Sequence, residues 1–172
     1  MPANTDTPLE THCIAVLVDN EAGVLARVIG LFSGRGYNID SLTVAEVDHD
    51  TALSRITVVT TGTPAIIEQI KAQLGRLVPV HKVVDLTTDY EAIEREMALV
   101  KVAGAGEKRV EALRLSDAFR ARVIDTTHSS FVFELTGAPG KIDAFVGLMR
   151  PLGLVEVSRT GVVGIARGPE PI

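Results

Sequence analysis

The stretch DNEAGVLARVIGLFSGRGYNIDSLTV, residues Asp19 to Val44, sets a polar turn, an amphipathic segment and a second turn between two apolar, strand-like runs. Val24, Leu25, Val28, Ile29 and Phe32 recur at helical spacing, while Arg27, Ser33 and Arg35 fall on other flanks, which predicts a helix lying on a sheet. Ahead of it, Asn20 is a capping residue type and Gly23 lacks a Cβ, so the first-turn N–H groups are open to an anionic visitor such as a carboxylate. Behind it, Gly34 and Gly36 permit positive φ, and Asn38 follows at the mouth of the next strand with an amide that donates and accepts. The same residues also serve a chain without a ligand, as cap, turn and bend.

Working outward, residues 1–11 are polar, contain proline and lack periodicity, which predicts a flexible N-terminal tail. His12 to Val18 is almost continuously apolar, the pattern of a central strand. Tyr37 to Val47 reads as a second strand whose apolar phase slips near Asp40 and Ser41, predicting a bulge or bend there. A polar turn then leads into Leu53 to Thr60, and the pair reads as a hairpin. Thr63-Pro64 opens a helix carried by Ile66, Ile67, Ile70, Leu74 and Leu77, and Val78 to Leu86 closes a βαββαβ unit. The pattern then repeats. Residues 87–96 read as a linker with one short helix, Met97 to Val102 as a strand, Glu107 to Phe119 as a helix, and Ala121 to Thr126 and Phe131 to Leu135 as two strands. Ile142, Phe145, Val146 and Met149 mark a last helix, ended by Pro151 and Gly153, before strands at Leu154 to Val157 and Val162 to Ala166. The expected class is therefore α+β, with two βαββαβ ferredoxin-like domains at residues 12–86 and 97–172.

Composition excludes several functions. A formal charge of −5 lacks the clustered Lys and Arg of a nucleic-acid or anionic-membrane surface. No apolar run is long enough to span a bilayer and no signal peptide is visible, so the expected compartment is the cytoplasm. The single cysteine, Cys13, rules out an intrachain disulfide and sits in an apolar run, as a buried thiol does. Catalytic patterns are missing. Ala103-Gly104-Ala105-Gly106-Glu107 has Arg109 where a dinucleotide loop needs its third glycine, and Gly140-Lys141 lacks the flanks of a phosphate loop. His12, His49, His81 and His128 are scattered without metal-ligand spacing, so no metal site is expected.

The runs Asn20 to Val28 and Gly36-Tyr37-Asn38-Ile39-Asp40-Ser41-Leu42 resemble the small, regulatory subunit of acetolactate synthase (acetohydroxyacid synthase). The likeness continues through Leu53-Ser54-Arg55, Arg95-Glu96, Ile124-Asp125, Gly140 to Phe145 and Ser158 to Gly164, covering nearly the whole chain. This resemblance implies that residues 12–86 form an ACT domain that senses a branched-chain amino acid, chiefly valine, between two such domains of a homodimer. Asn20, Gly23 and Val24 would contribute from one subunit, and Asn38 and Ile39 from the facing one. It further implies a non-catalytic partner of the acetolactate synthase catalytic subunit, on which thiamine diphosphate, FAD and magnesium would reside, with no cofactor on this chain. The alternative of another class is a stand-alone amino-acid-sensing ACT protein that regulates transcription or a different enzyme.

Overall fold

The computed structural model describes residues 7–172, and within them the chain forms nine strands and four α-helices. The order is β1 (Glu10–Asp19), α1 (Val24–Arg35), β2 (Ser41–Asp48), β3 (Leu53–Gly62), α2 (Pro64–Leu74), β4 (Val80–Asp85), β5 (Ala92–Ala103), α3 (Glu107–Ala118), β6 (Arg122–Thr126), β7 (Ser130–Gly137), α4 (Pro139–Met149), β8 (Leu154–Arg159) and β9 (Val163–Ala166). A 3-10 turn, Arg150–Leu152, follows α4. Both expected βαββαβ units are present, each an antiparallel sheet of ferredoxin-like order. These are β2-β3-β1-β4 in the first and β6-β7-β5-β8 in the second, with β9 pairing to β5 off that path.

In unit one the core is mostly aliphatic. Ile14, Val16 and Val18 of β1 and Ile56 and Val58 of β3 meet Val24, Val28 and Phe32 of α1 and Ile70 and Leu74 of α2. Helix α2 starts as its sequence directs: the Thr63 hydroxyl accepts from the Ile66 N–H at 3.4 Å, and Pro64 occupies the first turn, where no N–H is missed. Unit two uses aromatics instead. Phe145 stands edge-on to Phe133 at 6.0 Å and tilted against Phe119 at 5.3 Å. Gly153, at φ 103°, lets the backbone run where a Cβ would lie 2.0 Å from the Ala103 carbonyl oxygen.

Several boundaries depart from the sequence reading. Strand β1 begins at Glu10, inside the expected tail, because Glu10 and Thr11 continue the ladder opposite Gly62 and Thr61; the tail's residues 1–6 lie outside the described residues. Strand β2 begins at Ser41 after a bend at Asp40, and its register shift falls between Glu46 and Asp48. Gly34 stays inside α1, and Gly36 alone takes the left-handed turn, at φ 69°. Strand β4 is shorter than expected, leaving Val78 95% exposed. The expected linker helix does not form: β5 starts at Ala92, since alternation along Ala92–Ala103 overrides the helical spacing of Tyr90, Ile93 and Met97.

The chain returns at its end to unit one. Residues up to Ile93 cluster with Gly164–Ile172, and Glu94–Val163 form unit two. Within unit one an Arg55 Nη2–H donates to the Gly164 carbonyl at 2.6 Å, and the Arg167 N–H donates to the Glu91 carbonyl at 2.9 Å. In unit two the segments Arg95-Glu96 and Ser158 to Gly161 meet as a clasp. Arg159 pairs with both Glu96 oxygens, at 2.5 and 2.8 Å, and Thr160 exchanges backbone and hydroxyl bonds with Met97.

A buried polar cluster closes one end of the unit-one sheet. His12 Nδ1 lies 2.7 Å from Asp85 Oδ2, and its Nε2 lies 3.2 Å from Glu10 Oε2. Burial opposes the charged imidazole, but the hydrogen bonds to Asp85 and Glu10 outweigh it and raise its pKa above the usual 6.5. The folded chain thus holds the His12 proton more tightly than the unfolded chain does. The stabilisation is complete below about pH 6.5 and is lost as pH rises through the raised folded value. Urea unfolding midpoints should therefore fall between pH 6 and pH 9, and His12→Gln should flatten that fall. An unchanged slope in His12→Gln would assign the dependence to another group.

Candidate ligand-binding site

Helix α1 begins without a side-chain cap. Its N-cap is Gly23, at φ 88° and ψ −8°, and no acidic residue lies in its first turn. The expected cap, Asn20, is set back by the turn: its N–H donates to the Ala52 carbonyl at 2.7 Å and its side chain stays exposed. Ala52 itself sits at φ 51°, an uncommon conformation for a residue with a Cβ, at the tip of the β2–β3 hairpin. A Cβ built on Gly23 meets nothing within 4 Å. The first turn therefore presents its partial positive charge to open space, which is what a carboxylate needs. Of the two acids just before it, Glu21 is exposed and its carbonyl accepts from the Val24 N–H at 3.4 Å, while Asp19 is engaged by His81 Nε2 at 2.5 Å.

Val24 takes a narrower part than expected. Its side chain is 4% exposed and packs in the unit-one core, so the surface it offers at the turn is backbone. Ile39 is half-buried and packs against the same core from the other end of α1.

Asn38 lies beyond the C-cap of α1. Its carbonyl accepts from the Thr60 hydroxyl at 2.6 Å, and its Nδ2 donates to Asp40 Oδ1. Asp40 Oδ2 in turn accepts from the Thr61 hydroxyl at 2.7 Å, and the Asp40 N–H donates to the Val59 carbonyl at 2.8 Å. Asp40 was legible only as a point of phase slip. An amide and a carboxylate two residues apart at a strand mouth were the available signal.

One chain does not unite these two halves. Asn20 is tied to Ala52, whose neighbour Leu53 pairs with Asp19 at one end of β1, whereas Asn38 is tied to Thr60, which pairs with His12 near the other. The seven residue steps from Leu53 to Thr60 span roughly 23 Å of strand, and the 12-residue α1 about 18 Å. A single small ligand therefore does not reach both ends within one chain. Strand β2 is one edge of the unit-one sheet and β4 the other; Val44 and Val47 of β2 are exposed, as is Leu25 of α1. Among the described residues no cluster of His, Cys, Asp and Glu could hold a metal ion, and no helix is long and apolar enough to cross a membrane.

Residues 95–168 match the family model described as the small subunit of acetolactate synthase, and residues 14–82 match the AHAS small subunit-like ACT domain. The chain is 46% identical over 157 residues to the probable acetolactate synthase small subunit of Archaeoglobus fulgidus, covering 91% of this chain and 97% of that one. It is 48% identical over 156 residues to the acetolactate synthase isozyme 3 small subunit of Escherichia coli K12, covering 90% of this chain and 94% of that one. The crystal structure of the acetolactate synthase small subunit from Thermotoga maritima superposes with a TM-score of 0.82 at 38% identity, covering 94% of this chain and 99% of that one.

Proposed function

The chain belongs to the family of acetolactate synthase small subunits, and from that premise we propose that it is a cytoplasmic regulatory subunit without catalysis of its own. It binds the acetolactate synthase catalytic subunit, raises its activity and imposes feedback inhibition by valine. Thiamine diphosphate, FAD and magnesium belong to that partner. The observation that carries the sensing role is the uncapped, acid-free N-terminus of α1 at Gly23, facing open space. In this reading the carboxylate of valine lies against the first-turn N–H groups and Asn20 of one protomer. Asn38 of a second protomer reaches the other polar group, and Ile39 lies beside the isopropyl group. A two-fold dimer builds two such sites at once, because whatever one copy lacks the other supplies.

Reconstituting the chain with a catalytic subunit and measuring pyruvate condensation, alone and with valine, leucine or isoleucine, tests this directly. The expected result is activation by the chain and inhibition strongest with valine. No activation by a folded chain would refute the assignment.

The dimer carries its own prediction. The exposed edge strand β2 and the apolar flank of α1 should be covered in solution, so light scattering at micromolar concentration should give twice the mass of one 18.3 kDa chain. A stable monomer, both with and without valine, would leave the site unbuilt and the proposal without a mechanism.

A further inference from the structure

The direction of the bonds around Asn38 says which end of an amino acid it meets. An ionised carboxylate only accepts hydrogen bonds, so the Asn38 atom facing Asp40 Oδ1 is the amide nitrogen, and the amide oxygen is turned away as a free acceptor. The Thr61 hydroxyl has one proton and gives it to Asp40 Oδ2. The Thr11 hydroxyl, 2.8 Å from that of Thr61, must then be the donor of that pair. A run from Thr11 through Thr61 therefore fixes the Asp40 carboxylate on one side, while the Asp40 N–H to Val59 bond fixes its backbone. Among the described residues Asp40 has no ion-pair partner, although it carries a full negative charge beside a free amide oxygen. Two adjacent acceptors, one of them anionic and without a cation, suit an ammonium group and repel a carboxylate.

Resting on the reading of this site as a valine sensor, we propose that Asp40 is its specificity-determining acid. Asp40 and the Asn38 amide oxygen receive the ligand's ammonium, while the ligand's carboxylate lies at the α1 N-terminus of the facing protomer. The zwitterion then has one orientation, positive end to Asp40 and negative end to Gly23. A 2-oxo acid with the same side chain keeps the carboxylate and the isopropyl group but leaves Asp40 uncompensated in a site that the dimer closes. The sensor consequently answers to the amino acid and ignores its oxo acid. Thr61 is a positioning residue in this scheme, since it orients Asp40 and touches no ligand.

The test is calorimetry on the intact dimer with L-valine and with 3-methyl-2-oxobutanoate, for wild type, Asp40→Asn, Thr61→Val and Asn38→Ala. Asp40→Asn is nearly isosteric; it removes the charge and turns one of the two accepting oxygens into an NH2 donor. It should weaken L-valine by roughly tenfold to a hundredfold, with oxo acid binding unchanged or tighter, so the preference for the amino acid collapses by at least the same factor. Thr61→Val keeps the charge but frees the carboxylate, and should weaken L-valine by only several-fold. If Asp40→Asn keeps the wild-type preference while Asn38→Ala loses L-valine, the site stands and the role given to Asp40 is wrong. If every variant binds L-valine as wild type does, the site itself is misplaced. Should Asp40→Asn fail to fold, an undiminished preference in a folded Thr61→Val protein would overturn the proposal.

Discussion

Gly23→Asp should abolish valine inhibition of the reconstituted enzyme while leaving its activation by this subunit largely intact. Gly23 occupies the N-cap of α1 at φ 88°, with nothing within 4 Å of where a Cβ would stand. Aspartate is among the few residues that tolerate left-handed backbone and is also a favoured N-cap, so the fold has little reason to fail. Its carboxylate would instead reach the first-turn N–H groups from its own chain and fill the place proposed for the carboxylate of valine. Competition from a covalently attached rival, added to like-charge repulsion, leaves no useful affinity. Asn38→Ala acts at the other half of the site. Losing a hydrogen bond to a charged group costs about 1.5–3 kcal/mol, so affinity should fall roughly tenfold to a hundredfold. Feedback is a coupling of about 1–3 kcal/mol laid over subunit association, which is why activation survives both changes. Inhibition curves with wild-type midpoints in either variant would reduce the glycine and the asparagine to turn residues.

Phe145→Ala should be the most damaging single change to unit two. Phe145 is fully buried and touches two other rings, with centroids 6.0 Å from Phe133 and 5.3 Å from Phe119. Truncating a core phenylalanine to alanine costs about 3–5 kcal/mol through lost transfer energy and the cavity left behind, and a small domain has only about 5–15 kcal/mol in total. Hydrogen exchange should show protection collapsing across Glu94–Val163, while Ile14 and Val58 in the unit-one core keep theirs. A loss under 1 kcal/mol would mean that the three rings repack around the gap, and equal loss in both units would mean that they unfold as one.

The parts of this fold that were legible in sequence are those where local chemistry and packing agree. Thr63-Pro64 starts α2 where it should, because cap and fixed φ act on the same turn. Val24, Val28 and Phe32 point inward at helical spacing. Asn20 misled, since a good capping residue three places ahead of Gly23 was drawn off by the Ala52 carbonyl, a partner that only the β2–β3 hairpin brings near. Ile93 and Met97 misled in another way: two apolar residues four apart suit a helix, yet β5 absorbs both because ladder pairing further along decides the backbone. The site divides similarly. Gly23 and Asn38 stand out as residue types at turns, but the role of Asp40 depends on Thr61, 21 positions away, and through it on Thr11, 50 positions from Thr61. Arg159 and Glu96 carry the opposite lesson, because segments that match the family serve as a clasp within unit two.

The return of Gly164–Ile172 to unit one makes unit two an insertion in the chain of its neighbour. During synthesis the β1–β4 sheet is complete at Asp85, but its closing segment leaves the ribosome only after all of Glu94–Val163 has been made. Arg55 must wait across 109 positions for the Gly164 carbonyl. Dissection follows the same logic. A cut in the connecting strand at Met97 separates nothing cleanly: the front piece loses its last segment, and the rear piece carries Ile165 and Ile172 away from the surface they belong to. A minimal sensor is better made by excising Glu94–Val163 and joining Ile93 to Gly164 through a short flexible linker.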